Sequence, residues 1–169
     1  MAFQHWYTRA ETRDDIPVVR DIVAAAFERP DEAELVDKLR ADHSWLEGLS
    51  QVAVDAHGTV IGHALLTRCH IGDTPALCLA PVSVRPDHQN TGVGDAVVRA
   101  VLAAATARGE RFVVVLGHPS YYPRFGFTRA AEHGIGVSFE VDPDALMAMS
   151  LDGAPLPRGV IAYAAPFGI

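Results

Sequence analysis

The run Val82-Ser83-Val84-Arg85-Pro86-Asp87-His88-Gln89-Asn90-Thr91-Gly92-Val93-Gly94, continued without a break by Asp95 to Ala107, decides the reading of this 169-residue chain. An apolar strand enters a glycine-bearing turn, and the turn opens a helix. Gly92 and Gly94 allow the backbone to curl until successive N–H groups face one concavity, and the helix behind adds the positive end of its dipole. Such a concavity suits an anion, a phosphate above all.

Spacing separates the known phosphate loops. A P-loop requires G-x-x-x-x-G-K-[ST], and neither Lys nor Ser/Thr follows Gly94 at the required places. A dinucleotide fingerprint, G-x-G-x-x-G, would put a small residue at 97, where the chain has Val97. The pattern that does fit is Q-x-x-G-x-G, made by Gln89, Gly92 and Gly94 and entered from V-x-V-x-P. It resembles motif A of the GNAT superfamily of acetyl-CoA-dependent N-acetyltransferases, whose loop amides hold the pyrophosphate of coenzyme A.

A second stretch, Phe112-Val113-Val114-Val115-Leu116-Gly117-His118-Pro119-Ser120-Tyr121-Tyr122-Pro123-Arg124-Phe125-Gly126-Phe127, strengthens that resemblance. A β-branched strand ends in Gly-His-Pro, a short helix follows, and the segment closes on Gly-Phe. It is similar to motif B of the same superfamily, with Tyr122, Phe125, Gly126 and Phe127 meeting Y-x-x-[LF]-G-F. The fuller string L-G-x-P-x-Y-Y-x-R-F-G-F resembles the YhbS-like branch of predicted N-acetyltransferases. The likeness covers roughly residues 5 to 169 and is strongest from 76 to 127.

Composition agrees with an enzyme-sized module. The length is that of one domain, so 1–169 is expected to form a single acetyltransferase domain, and 49 % apolar with 21 % charged residues is a globular balance. A net charge of −7 argues against a nucleic-acid partner. No basic amphipathic run suggests a membrane surface, no signal-like segment opens the chain, and the expected location is cytoplasmic. A homodimer is left open. Cys69 and Cys78 flank the turn Gly72-Asp73-Thr74-Pro75, and a hairpin centred between 73 and 74 would set them opposite each other. Two reduced core thiols are expected, with no metal site and no thiol nucleophile.

The elements alternate as in an α/β (α+β) protein. Strands are expected at Trp6–Ala10, Ser50–Asp55, Val60–Cys69 and Ala76–Val84, and helices from Asp14 to about Phe27 and from near Asp31. Pro81 cannot donate to a ladder, so its strand should bulge or part from a neighbour there. Later strands are expected at Val137–Val141 and Gly159–Ala164. Asp142-Pro143-Asp144 starts a short helix or a turn, and Leu146–Leu151 has helix-favouring residues. The resemblance instead makes this last segment a strand pairing with the final one, within a mostly antiparallel mixed sheet whose middle strands splay to admit the pantetheine arm.

Amine acetylation needs a proton removed from an alkylammonium and a departing thiolate protonated. The resemblance assigns the second task to Tyr122, with Tyr121 packing beside it. Relatives often carry an acidic base on the strand before the loop, but Leu79-Ala80-Pro81-Val82-Ser83 has no carboxylate. His118 is then the best local candidate because imidazole titrates near neutrality; His63, Glu28 and Glu132-His133 are weaker ones. For the cofactor, expectation falls on the amides of Asn90, Thr91, Gly92, Val93 and Gly94 for pyrophosphate, Gln89 framing the turn, and the backbones of Val82, Ser83 and Val84 for pantetheine and the thioester carbonyl. Ser120 is a further contact, and Arg85, Arg124 and Arg129 are candidates for the ribose phosphate. The expected reaction is direct acetyl transfer from acetyl-CoA to a small-molecule or peptide amine in a ternary complex. The alternatives are a non-catalytic acyl-CoA sensor, another acyl-CoA, and a hydroxyl acceptor. Asp31, Glu32 and Glu34 either attract a cationic acceptor or simply suit a helix start.

Overall fold

The computed structural model describes residues 5–169. The elements in chain order are β1 (Trp6–Ala10), α1 (Ile16–Phe27), α2 (Asp31–Arg40), β2 (Trp45–Asp55), β3 (Val60–Ile71), β4 (Thr74–Val84), α3 (Val93–Ala107), β5 (Phe112–Leu116), β6 (Thr128–Arg129), β7 (Ile135–Gly136), β8 (Leu146–Ser150) and β9 (Gly159–Ala162). Strands β1 to β5 lie side by side in sequence order, followed by β8 and then β6. Most neighbours are antiparallel; β4 with β5 and β7 with β9 are parallel. This is the mixed, mostly antiparallel α+β sheet expected from the sequence.

Helices cover both faces because each carries one apolar stripe. Val93, Val97, Val98, Val101 and Leu102 of α3 pack on Ala53, Ile61, Ala64, Leu66, Leu77 and Leu79 of the sheet. On the other face, Val19, Ile22 and Val23 of α1 and Val36 and Leu39 of α2 close over Val52, Val54, Val60 and Leu65. Each fully buried aliphatic side chain stabilises by roughly 1.5–3 kcal/mol, so these stripes outweigh the modest propensity of the Val-rich α3 for a helix. Gly62 makes the close approach of α3 possible: a Cβ there would lie 2.6 Å from Val93 Cγ1. The start of α3, and with it the turn at residues 89–92, is thereby held against the sheet.

The middle of the sheet opens. Ala64 pairs with Val82 and Leu66 with Leu79, so Ala80 and Pro81 together face Leu65 as a bulge. Beyond the bulge Val82 and Val84 return to the α3 face, while Ser83 turns to the α1 face and is buried. β4 pairs with β5 only at Leu77–Val113 and Cys78–Val114. From Leu79 onward the two strands diverge. The proline that cannot donate and the short parallel ladder together produce the splayed centre.

Several boundaries differ from expectation. β2 begins at Trp45 instead of Ser50, because Gly48 at φ 84 and a register shift between Trp45 and Ser50 carry an irregular strand across a break that resembles a loop. The 137–141 stretch is not a strand; ladder pairing there is confined to Ile135 and Gly136. Asp142 forms a turn, its carboxylate accepting from the Asp144 amide at 2.9 Å. Leu146–Ser150 is a strand, yet its partners are β5 and β6 and not the final strand. Both edges of β8 are thus occupied. β9 docks instead on His70 and Ile71 at the end of β3, where Gly72 and Gly159 allow close backbone approach; a Cβ on Gly159 would sit 2.8 Å from the Gly72 nitrogen. The hairpin between β3 and β4 is centred one position earlier than expected, with Ile71 opposite Thr74. Cys69 therefore faces Ala76 and Cys78 faces Thr67, and both thiols are free and buried. Among the described residues no helix is long and apolar enough to cross a membrane.

Candidate active site

Where β4 and β5 part, two cavities meet. One, about 600 Å³, is lined by Val82, Val84, Gln89, Asn90, Gly92, Gly94 and Asp95 on one side and by His118, Tyr121, Tyr122 and Arg124 on the other, with Ala26 and Phe27 of α1 above. The other, about 480 Å³, runs past the bulge between Leu79–Val82, Leu116–His118, Tyr163 and Phe167. Phe27, Val82, His118 and Tyr122 line both. A third depression of about 700 Å³, between residues 131 and 146, contains none of the expected site residues.

The turn that opens the first cavity owes its shape to two left-handed residues, Asn90 at φ 61 and Gly92 at φ 97. Asparagine tolerates that region and glycine has no penalty there. No backbone carbonyl of the described residues accepts a turn hydrogen bond from the amides of Asn90, Thr91 or Gly92. The first N–H groups of α3 likewise have no carbonyl one turn earlier. These donors share one concavity at a helix start, an arrangement that can hold an anion. Gln89 donates from Nε2 to the Val84 carbonyl at 3.3 Å and ties the turn back to β4. The Thr91 hydroxyl donates to the His88 carbonyl, and the Val93 side chain is buried, so both residues offer only their backbone.

The two tyrosines divide as their neighbours dictate. Tyr121 donates to Asp95 Oδ1 at 2.8 Å, while the Arg124 guanidinium lies 4.3 Å above its ring and 3.4 Å from Asp95 Oδ2. Tyr121 thus clamps the motif B segment to the first turn of α3, and burial together with the Asp95 hydrogen bond raises its pKa. Tyr122 packs edge-on to Tyr121 and Phe127, at centroid separations of 5.0 and 5.9 Å. Its hydroxyl has no hydrogen-bond partner among the described residues, and burial raises its pKa. The phenol is therefore a protonated donor at neutral pH, facing the junction of the two cavities. Gly117 makes room for it: a Cβ there would lie 2.4 Å from the Tyr122 ring.

His118 is exposed and lines both cavities, whereas Ser120 is exposed and lines neither. His63 is enclosed on the α1 face, Nε2 2.8 Å from Ser50 Oγ, and burial pushes its pKa down to about 3. A neutral, sealed imidazole has no route to an incoming ammonium. Glu28 ends α1 in a left-handed conformation outside both linings, and His133 is engaged with Thr128 Oγ1 at 2.7 Å. Of the three arginines, Arg124 lines the first cavity, Arg85 is paired with Asp87 at 2.6 Å, and Arg129 is paired with Asp144 at 3.1 Å. Asp95, Gly117, Phe27, Tyr163 and Phe167 were not legible as site residues. Asp95 reads as an ordinary dipole-favoured acid in a first turn, and the others enter only through tertiary packing. Among the described residues no group of three or more His, Cys, Asp or Glu side chains is placed to hold a metal ion.

A mixed sheet split beside a glycine turn, with amide donors gathered at a helix start and a half-buried phenol across the gap, is the architecture of an acyltransferase of the GNAT type. Residues 8–130 match the family model of the acetyltransferase (GNAT) domain, and the chain belongs to that family. It is 35 % identical over 135 residues to the N-acetyltransferase YjhQ of Escherichia coli K12, covering 78 % of this chain and 74 % of that one. Identity to the N-acetyltransferase YhbS of the same strain is 33 % over 129 residues, 75 % and 76 % of the two chains. Among solved structures, E. coli YhbS in complex with CoA aligns over 100 % of this chain and 95 % of that one, with a TM-score of 0.91 at 27 % identity. A GNAT acetyltransferase of Brucella melitensis in complex with acetyl-CoA aligns over 98 % and 99 %, with a TM-score of 0.81 at 31 % identity.

Proposed function

We propose that this chain is an acetyl-CoA-dependent N-acetyltransferase, formed by one domain over residues 1–169 and acting by direct transfer in a ternary complex. The observation that carries the reading is the meeting of two cavities at Val82, His118 and Tyr122, one opening from an anion cradle and the other from an apolar pocket. The fit to coenzyme A is supported by the cradle itself: amides at 90–92 with no backbone acceptor among the described residues, glycines at 92 and 94, and a β4 edge that β5 leaves unpaired beyond Cys78. The pyrophosphate would be held by the amides of Asn90 to Gly94, and the pantetheine arm by the backbone of Val82 to Val84.

When bound, acetyl-CoA supplies an acyl thioester. Backbone N–H groups of the parted β4 offer hydrogen bonds to a carbonyl gaining negative charge, though Pro81 offers none. Tyr122 Oη gives its proton to the departing sulfur and recovers one from solvent. His118, exposed at the junction, takes the first proton that the acceptor ammonium must lose, and the nitrogen's second proton passes to solvent as the amide forms, offsetting the one that Tyr122 recovers. A new N–C bond forms as the C–S bond breaks, so ammonium and thioester become amide, thiol and one released proton. We take the acceptor to be a small-molecule or peptide amine and the location to be the cytoplasm. A second reading, an acyl-CoA sensor, is favoured by the absence of any carboxylate from Leu79 to Ser83. Calorimetric binding of acetyl-CoA measured beside CoA release with an amine panel separates the two. Turnover supports the enzyme, and tight binding without release on any amine supports the sensor.

A further inference from the structure

The pocket beyond the bulge has a lining that selects among amines. Its walls are apolar and aromatic: Phe27 from α1, Leu79 and Pro81 from β4, and Tyr163 and Phe167 from the C-terminal segment. Among its lining residues Glu32 carries the single acidic side chain. Asp31 and Glu34, its companions in the first turn of α2, are exposed and line neither cavity. Glu32 keeps 25 % of its side-chain surface and, among the described residues, its one ion pair is with the exposed Arg29, at 3.5 Å. A solvent-exposed pair of that kind contributes little, so an incoming cation can replace Arg29 at small cost.

We infer that the acceptor is a monoamine with an aromatic or branched aliphatic body, its ammonium drawn in by Glu32 and its body held between Phe27, Tyr163 and Phe167. This rests on the acetyl-transfer reading above and narrows it. Three observations favour this class. A volume of about 480 Å³ is that of a small-ligand pocket. One acidic side chain balances one ammonium, and the further charges of a polyamine would face largely apolar walls, which is costly. The aromatic side chains, Tyr122 included, offer both apolar area and ring faces to a cation passing toward the junction. Glu32 acts here as a specificity residue and takes no part in the proton transfers.

The test compares 2-phenylethylamine and isoamylamine with spermidine and a lysine-containing peptide in a CoA-thiol release assay, on the full chain, with acetyl-CoA affinity measured by calorimetry. The apolar monoamines are expected to have at least 10-fold higher kcat/KM than spermidine or the peptide. Glu32→Gln should raise KM for 2-phenylethylamine by roughly 5- to 50-fold with kcat within 2-fold, and Glu32→Lys should raise it further. Acetyl-CoA affinity should stay unchanged in both variants. Preference for spermidine or the peptide, or an unaltered KM in Glu32→Gln, overturns the inference while leaving acetyl transfer standing. Acetyl-CoA binding without CoA release on any amine overturns both.

Discussion

Tyr122→Phe tests the chemistry most directly, because the structure separates its effect on catalysis from its effect on folding. The ring is held by edge contacts to Tyr121 and Phe127 and a tilted contact to Phe125, all of which phenylalanine retains. The hydroxyl makes no protein hydrogen bond among the described residues, so no buried partner is orphaned by its removal. The expected change in unfolding free energy is below about 0.5 kcal/mol, against the roughly 1 kcal/mol that a made hydrogen bond contributes. A lost general acid, by contrast, costs about 10²–10⁴ in rate, equivalent to about 2.7–5.4 kcal/mol of transition-state stabilisation. Steady-state CoA release should show kcat reduced by that factor, with acetyl-CoA affinity and thermal midpoint nearly unchanged. Since burial raises the phenol pKa above its ordinary value near 10, this acid should impose no alkaline loss of kcat below about pH 10. A variant within about 2-fold of the parent, at any pH, would refute the assignment. Tyr121→Phe is the control: it removes the hydrogen bond to the half-exposed Asp95 and should destabilise by about 1 kcal/mol, with a smaller loss of kcat.

Three further outcomes follow from the same geometry. Gly92→Val forces a β-branched residue into φ 97, a conformation costing about 1–3 kcal/mol, and should abolish acetyl-CoA binding by calorimetry while circular dichroism stays that of the parent. Gly117→Ala would place a Cβ 2.4 Å from the Tyr122 ring and swing it aside, lowering kcat by about 10- to 100-fold with acetyl-CoA affinity within a few-fold. Asp15, buried and hydrogen-bonded to Arg9 at 2.6 Å and to the Thr12 amide at 2.7 Å, has its pKa lowered to about 2, chiefly by Arg9. A depressed carboxylate contributes stability above its unfolded pKa near 3.8 that is lost as pH falls through about 2. Asp15→Asn should therefore cost about 1–2 kcal/mol at neutral pH, allowing for screening at the partly exposed Arg9, and flatten the acid limb of denaturation between pH 4 and 2.

Local chemistry made much of this molecule legible. A turn from Gln89 to Gly94 leading into a helix, a proline that cannot join a ladder, and a Tyr-rich segment after a β-branched strand each depend on neighbours within a few residues, and each stands where expected. The β2 start missed at Trp45 follows from a left-handed Gly48 that reads locally as a loop. The partner of β8 was misplaced because strand pairing is a competition among edges. β5 and β6 occupy both sides of β8, and the final strand goes to the end of β3 that β2 leaves free.

By itself, then, the sequence determined the family, the glycine turn at the start of α3 and the pair of tyrosines, since backbone conformation and short-range spacing encode all three. Only the tertiary structure decided which tyrosine is tied to Asp95 and which faces the gap, that His63 is sealed while His118 is open, and which of three neighbouring acids reaches the pocket. These are questions of burial and of contact between segments distant in the chain, and packing resolves them only once α1, β4 and the C-terminal segment have come together.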